Sequence, residues 1–200
     1  MDTFEALATF RKYIANFVEF NDAEWSVFCQ HLDFRDLKKK ANFAEPGLVC
    51  NEFGFILSGS IRYYNVKDGE EITGYFSFEN ELVSSYRSFL TRQPGLNYLQ
   101  ALEPTSLITI SYKNMQAMLA NPLLAYKMER FGRLVAEYYL ICYEERMSSF
   151  ITKTPEERYL DLLNTGRDII QRMPQHYIAH FLGITPVSLS RIRRRIMRAA

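Results

Sequence analysis

The spacing of apolar residues changes character three times along the chain. Over the first 40 residues Phe4, Leu7, Ala8, Tyr13, Ile14 and Phe17 recur at helical intervals. Asn21-Asp22, ahead of Glu24, Trp25 and Phe28, carries the start signal of a second helix. Residues 1–40 therefore read as helical. From 41 to 112, short runs rich in aromatic and β-branched residues alternate with Gly, Asp and Pro. Ile61, Tyr63 and Asn65 alternate with Arg62, Tyr64 and Val66, and Ile72, Gly74, Phe76 and Phe78 share one face of the next run. Between them, Lys67-Asp68-Gly69-Glu70 is a hairpin signal, because Asp-Gly tolerates the left-handed backbone of a two-residue turn. Tyr98–Leu102 and Ser106–Ser111 follow, separated by the turn Glu103-Pro104-Thr105. Many short strands at regular spacing predict an antiparallel sandwich or barrel rather than a parallel sheet.

Beyond residue 113 the helical period returns. After Asn121-Pro122, the residues Leu124, Met128, Phe131, Val135, Tyr138 and Cys142 follow a 4-3-4-3-4 spacing. That is a heptad seam, by which two helices pack knobs into holes. It favours a dimer helix over residues 121–150; a core helix packed on its own domain is the alternative. Thr152-Lys153-Thr154-Pro155 then reads as a hinge, with Thr154 capping a new helix, Pro155 at its first position and Glu156 and Glu157 behind it.

The strongest local signal runs from Met173 to Arg195, MPQHYIAHFLGITPVSLSRIRRR. Pro174 opens a helix with Tyr177, Ile178, Phe181 and Leu182 on its inner face, and Gly183 supplies the left-handed residue that ends it. Thr185 caps a second helix, Pro186 takes its first position, and Leu189, Ile192 and Ile196 face inward. Two short helices joined by a glycine turn, the second basic outside, make a helix-turn-helix. Thr185, Pro186, Val187, Ser188, Ser190, Arg191 and Arg194 fall near or along the outer face. Arginine can pair with guanine in two hydrogen bonds, serine with several bases, and Val187 can touch a thymine methyl. Arg193, Arg195 and Arg198 suit phosphates, which position a protein without specifying sequence. A solvated basic helix on a protein-binding module is the plainer alternative.

Charge changes that balance. The net charge of +1 hides nine Lys/Arg against four acids in residues 151–200, so that segment is +5 and the remainder −4. A basic end on a mildly acidic body suits a polyanionic partner, double-stranded DNA. Composition adds mainly exclusions. Apolar residues at 48% and charged residues at 24% describe a globular chain. No apolar stretch reaches membrane-spanning length and the start MDTFEALATFRKYI lacks a signal peptide's apolar run, so a cytoplasmic protein with no membrane partner is expected. Cys29, Cys50 and Cys142 form no metal-ligand spacing and read as structural thiols. His176 and His180 stand four apart, but HYIAH lacks the glutamate of a zinc-protease motif. No metal site, no cofactor and no enzyme is expected.

The order of parts, with Gly59-Ser60-Ile61, Ile110-Ser111-Tyr112 and the run Gly183 to Arg191, resembles the Crp–Fnr family of cyclic-AMP receptor protein-like regulators over essentially the whole chain. The resemblance implies an α+β fold. Its parts are an antiparallel, cyclic-nucleotide-binding-like jelly roll with flanking helices over 1–120, a dimerisation helix over 121–150 and a helix-turn-helix domain over 151–200. That last domain is of winged-helix type without the C-terminal wing hairpin many members carry, since the chain ends at Ala200. It also implies a homodimer on a two-fold symmetric operator, RNA polymerase as a further candidate partner, and DNA contact by Arg191. Pro186 and Val187 stand where the family often has Arg and Glu, so base preference should differ.

The chain departs from the family in its phosphate cassette. Leu82-Val83-Ser84-Ser85 and Leu96-Asn97 stand where a Gly-Glu pair and an Arg-Ser or Arg-Thr are expected, and neither Arg87 nor Arg92 sits at the matching place. A buried phosphate left without its cation costs several kcal/mol, on the order of the penalty for any unpaired buried charge. Cyclic AMP is therefore disfavoured, and the effector, where there is one, is another molecule. An aromatic or apolar compound would suit Phe76, Phe78, Tyr86, Phe89 and Tyr98, which also read as ordinary roll core. Ser84, Ser85, Arg87, Leu96, Asn97, Glu137 and Tyr138 are the pocket candidates that the resemblance supplies. The alternative function is an effector-sensing or protein-interaction module with a non-functional helix-turn-helix.

Overall fold

The first two helices begin where a side chain can satisfy their leading N–H groups. In this computed structural model, which describes residues 2–199, α1 (Thr3–Ala15) is capped by Asp2, which accepts from the Glu5 N–H at 2.8 Å. The outermost bounds of the expected domains, Met1 and Ala200, lie outside the described residues. α2 (Asp22–Cys29) carries a capping box: Asn21 accepts from the Glu24 N–H at 3.0 Å, and Glu24 accepts from the Asn21 N–H at 2.8 Å. Lys127 donates to the same carboxylate. These hydrogen bonds hold Glu24 below the usual carboxylate range, the Lys127 bond contributing most.

The strands follow as β1 (Asp33–Leu37), β2 (Asn42–Ala44), β3 (Glu52–Ser58), β4 (Ile61–Lys67), β5 (Glu70–Ser77) and β6 (Leu82–Val83), then α3 (Tyr86–Thr91), β7 (Tyr98–Ala101) and β8 (Thr105–Ser111). They make two four-stranded sheets, ordered β1-β8-β3-β6 and β2-β7-β4-β5. The first is antiparallel throughout, and β2 pairs antiparallel with β7. The remaining helices are α4 (Tyr112–Ala120), α5 (Ala125–Thr152), α6 (Pro155–Thr165), α7 (Arg167–Arg172), α8 (Gln175–Phe181) and α9 (Pro186–Ala199). Contacts divide the described chain into two units. One holds residues up to Arg62 with Ser77–Tyr139, the other Tyr63–Phe76 with everything from Leu140 on. No helix is long and apolar enough to cross a membrane among the described residues.

Alternation on β3 and β8 builds the core of the first unit. Phe53, Phe55 and Leu57 point to one face of the sheet, in register with Ile110 and Ile108 of β8. Phe10 and Ile14 of α1, Phe28 of α2, Met118 of α4 and the start of α5 cover that face. Phe10 meets Phe55 at 4.8 Å and Phe28 at 6.1 Å between ring centroids, and Trp25 stacks on Phe28 at 5.2 Å.

Three expectations change here. Residues 33–37 form an edge strand, not helix. Asp33 to Leu37 pair with Thr109 to Thr105, and Asp36 accepts from the Ser106 hydroxyl at 2.6 Å, so backbone pairing with β8 outweighs local preference. Phe78 lies past the end of β5, and on that strand Gly74 is exposed while Phe76 is buried. The third change concerns the heptad seam. Leu124, Met128, Phe131 and Val135 are 0–3% exposed inside this unit's own core, so they are unavailable to a partner helix. A 4-3 spacing marks one apolar face without saying whether a partner or the home domain buries it.

Phe55→Ala should destabilise the protein by about 3–5 kcal/mol, while Phe34→Ala, on the half-exposed edge strand, should stay within about 0.5 kcal/mol. Urea denaturation checks both.

Candidate nucleic-acid interface

Hydrogen-bond capping sets the frame of the C-terminal helices. α6 starts at a second capping box, in which Glu157 accepts from the N–H of Thr154 at 2.8 Å and Thr154 accepts from the N–H of Glu157 at 3.3 Å, with Pro155 in the first turn. The bonds from Thr154 hold the Glu157 carboxyl below its ordinary value. α8 buries Ile178 and Ala179, with Leu182 following. Tyr177 and Phe181, expected on the inner face, are only half-buried.

Gly183 takes φ +70°, and two bonds close the turn: Ile184 N–H to the Ala179 carbonyl at 3.0 Å, Gly183 N–H to the His180 carbonyl at 2.8 Å. That pair is a Schellman motif, the helix stop a left-handed residue permits. A Cβ at Gly183 would lie 2.8 Å from the Phe150 ring, so this position has neither backbone nor side-chain room for alanine.

The turn is also clamped from outside by residues that the sequence pattern did not single out. Arg146 donates to the carbonyls of Phe181 and Gly74, both at 2.9 Å, and lies 4.0 Å over the Phe181 ring and 5.0 Å from Phe150. Burial lowers its pKa from the ordinary guanidinium value. Arg158 stacks on Phe150 at 4.8 Å and donates to the Leu182 carbonyl at 3.1 Å. Phe76, from the β4–β5 hairpin, meets Phe181 at 5.6 Å. At the tip of that hairpin both Asp68 and Gly69 have positive φ, as the Asp-Gly step predicts. Nothing in the local pattern distinguishes these arginines from surface cations; only the folded turn gives their donors carbonyls to meet.

Thr185 stands just ahead of α9, and its hydroxyl oxygen accepts from the Ser188 N–H at 3.1 Å. Leu189 and Ile192 are buried and Ile196 half-buried, which sets the helix's rotation. Val187, Ser190, Arg191, Arg194 and Arg198 are all exposed, and the helical period places them opposite that stripe. Thr185 and Pro186 are exposed at the start, and Ser188 is half-buried. Arg193 and Arg194 line a groove of about 350 Å3 with Ser190, Pro186 and Gln175. Gln175 is an addition to the expected set, brought there by the fold from the other helix of the motif. Arg195 pairs with Glu156 of α6.

The pocket candidates of the first unit do not gather in the same way. The Ser84 hydroxyl donates to the Glu52 carbonyl at 3.0 Å, Ser85 is buried ahead of α3, and Arg87 and Leu96 are exposed while Asn97 is half-buried. Glu137 receives Arg133 at 2.6 Å, and Tyr138 lies edge-on to Phe17 at 6.4 Å. Arg92 is committed to the Cys50 and Phe89 carbonyls, each at 3.0 Å, to Asn51, and to the face of Tyr112. The described residues hold no cluster of three or more metal-ligating side chains.

This fold is similar to those of several solved regulators. The chain is similar to CLP, a c-di-GMP responsive global regulator of Xanthomonas campestris, with a TM-score of 0.68 at 15% identity over 90% of this chain and 93% of that one. It is similar to a putative Crp/Fnr-family transcriptional regulator of Eubacterium rectale, with a TM-score of 0.66 at 18% identity over 90% and 85%. FixK2 of Bradyrhizobium japonicum gives 0.64 at 18% over 84% and 85%. At these identities the likeness establishes the fold: a cyclic-nucleotide-binding-type roll with antiparallel sheets, joined to a helical C-terminal segment. No protein-family model and no curated protein sequence matches the chain.

Gly183→Ala should cost at least about 1–2 kcal/mol from its left-handed backbone alone. Gly132→Ala, where a Cβ would meet no atom within 4 Å, should instead stabilise α5 by up to about 1 kcal/mol. Thermal unfolding of the two variants separates these outcomes.

Proposed function

We propose that the protein is a sequence-specific DNA-binding transcription regulator, a cytoplasmic homodimer acting on a two-fold symmetric operator, and not an enzyme. The observation that carries this reading is the exposed face of α9, where Val187, Ser190, Arg191, Arg194 and Arg198 stand opposite the buried Leu189 and Ile192. In this reading residues 1–120 sense, 121–150 dimerise and 151–200 bind DNA. Arg191 reads guanine, Ser190 and Val187 read neighbouring base edges, and Thr185, Pro186 and Ser188 set the approach of the helix start. Arg193, Arg194 and Arg198 meet phosphates, and Arg195 exchanges Glu156 for one. The effector is a molecule other than cyclic AMP, since Arg92 is spent on the fold and Arg87 lies exposed.

The dimer reading moves to the opposite face of α5. Ala136, Leu140, Tyr143, Met147 and Ile151 follow one another at intervals of three and four, away from the buried stripe. The last four are exposed in side chains that water serves poorly: Leu140 at 59%, Tyr143 at 65%, Met147 at 62% and Ile151 at 76%. A run of this kind marks an association surface.

Fluorescence anisotropy on a labelled duplex of arbitrary sequence tests the DNA reading. Affinity should fall steeply with salt, and Arg194→Ala or Arg198→Ala should each reduce the slope of log affinity against log salt by about 0.9. The double variant Leu140→Glu/Met147→Glu should sediment as a monomer and bind more weakly. Salt-independent binding, or slopes unchanged by both arginine variants, would count against the proposal.

A further inference from the structure

A cavity of about 340 Å3 opens in the first unit between α3, α4 and the N-terminal half of α5, with β3 behind it. Phe53, Phe89, Tyr112 and Phe131 wall it, and Gln116 and Glu129 stand among its lining. Its size falls in the range of small-molecule sites, roughly 300–1,000 Å3, which combine apolar walls with a few polar groups.

The walls are held in place by groups that belong to the fold. Phe89 meets Tyr112 edge-on at 5.6 Å, and Arg92 backs Tyr112 at 4.0 Å. Ser88 fixes α3 by accepting from the Cys50 N–H at 3.0 Å and donating to the Gln93 carbonyl at 2.5 Å. The space is therefore preformed.

Gly132 supplies an independent observation. It lines the cavity from within the 28-residue helix α5, where glycine weakens a helix relative to alanine. No atom of the fold lies within 4 Å of the place its Cβ would take. The fold itself does not need glycine there, and the room beside it opens onto the cavity.

Charge narrows the occupant. Arg133, which also lines the cavity, is matched by Glu137 at 2.6 Å, whereas Glu129 makes no ion pair among the described residues. The site therefore offers aromatic faces and an acceptor. We propose that this cavity binds a flat, mostly apolar small molecule with a hydrogen-bond-donating end, its rings against Phe53, Phe89, Tyr112 and Phe131 and its donor on Glu129 and Gln116. The proposal goes beyond the DNA-binding reading and does not require it, because occupancy is read without DNA.

N-phenyl-1-naphthylamine, two aryl systems joined through one N–H, is the probe. Titrated into the full chain, it should give a saturable rise in fluorescence at one dye per chain. Gly132→Leu enters the cavity from α5 with its Cβ clear of every atom of the fold by 4 Å, and Leu90→Trp, at a half-exposed lining position, fills it from α3. Each should weaken dye binding by about tenfold or more, the scale on which a filled pocket rejects a ligand, with circular dichroism unchanged. Non-saturable binding, or unaltered affinity in both variants, would overturn the proposal. So would loss of self-association in Gly132→Leu with dye affinity retained, which would assign the cavity's cover to a second copy of the chain.

Discussion

Leu124, just ahead of α5, and Met128, Phe131 and Val135 within it sink one face of the helix into the aromatic core of the roll, at 0–3% exposure. Burying a side chain of this size is worth about 1.5–3 kcal/mol, so four in a row fix the rotation of the helix. Everything α5 offers elsewhere follows from that rotation. Leu140, Tyr143, Met147 and Ile151 are left facing water, and Glu129, Gly132 and Arg133 are brought to the edge of a cavity whose far walls are α3 and α4. One helix thus serves as core on one side, and on two others carries the proposed association surface and lines the cavity.

In the second unit, aromatic rings and guanidinium groups fix the geometry. Arg146 and Arg158 both lie against the Phe150 ring, Phe181 lies under Arg146, and both arginines end on carbonyls at the turn between α8 and α9. Such contacts hold a short motif rigid where its apolar core is small, since stacked, half-buried guanidinium groups gain both packing and hydrogen bonds. With the turn rigid, Leu189 and Ile192 determine which face of α9 is presented, and the arginines left outside make that face cationic.

Much of this was legible in the sequence because it is local. The caps at Asn21 and Thr154, the Asp68-Gly69 hairpin and the Gly183 stop each depend on residues within a few positions of one another, and each appears as its chemistry predicts. What failed to show was non-local. β1 is a charged segment whose strand pairing comes from β8, about 70 positions away. The inner stripe of α5 carries the same spacing as a coiled-coil seam, and only the roll's aromatic core says which it is. Arg146 and Arg158 look like surface cations until the turn's carbonyls are in place. The cavity is assembled from elements whose joint geometry no spacing encodes, although Tyr86 and Phe89 stood among the aromatic candidates.

The central claim, that α9 reads a two-fold symmetric DNA site as part of a dimer, is tested most directly by selecting bound sequences from random duplex DNA with the purified full chain. The enriched pool should contain an inverted repeat with half-site centres about 34 Å apart, one helical turn, and Arg191→Ala should lose preference at one symmetric pair of positions. A pool without a repeat, or the same repeat recovered undiminished by Arg191→Ala, would contradict it.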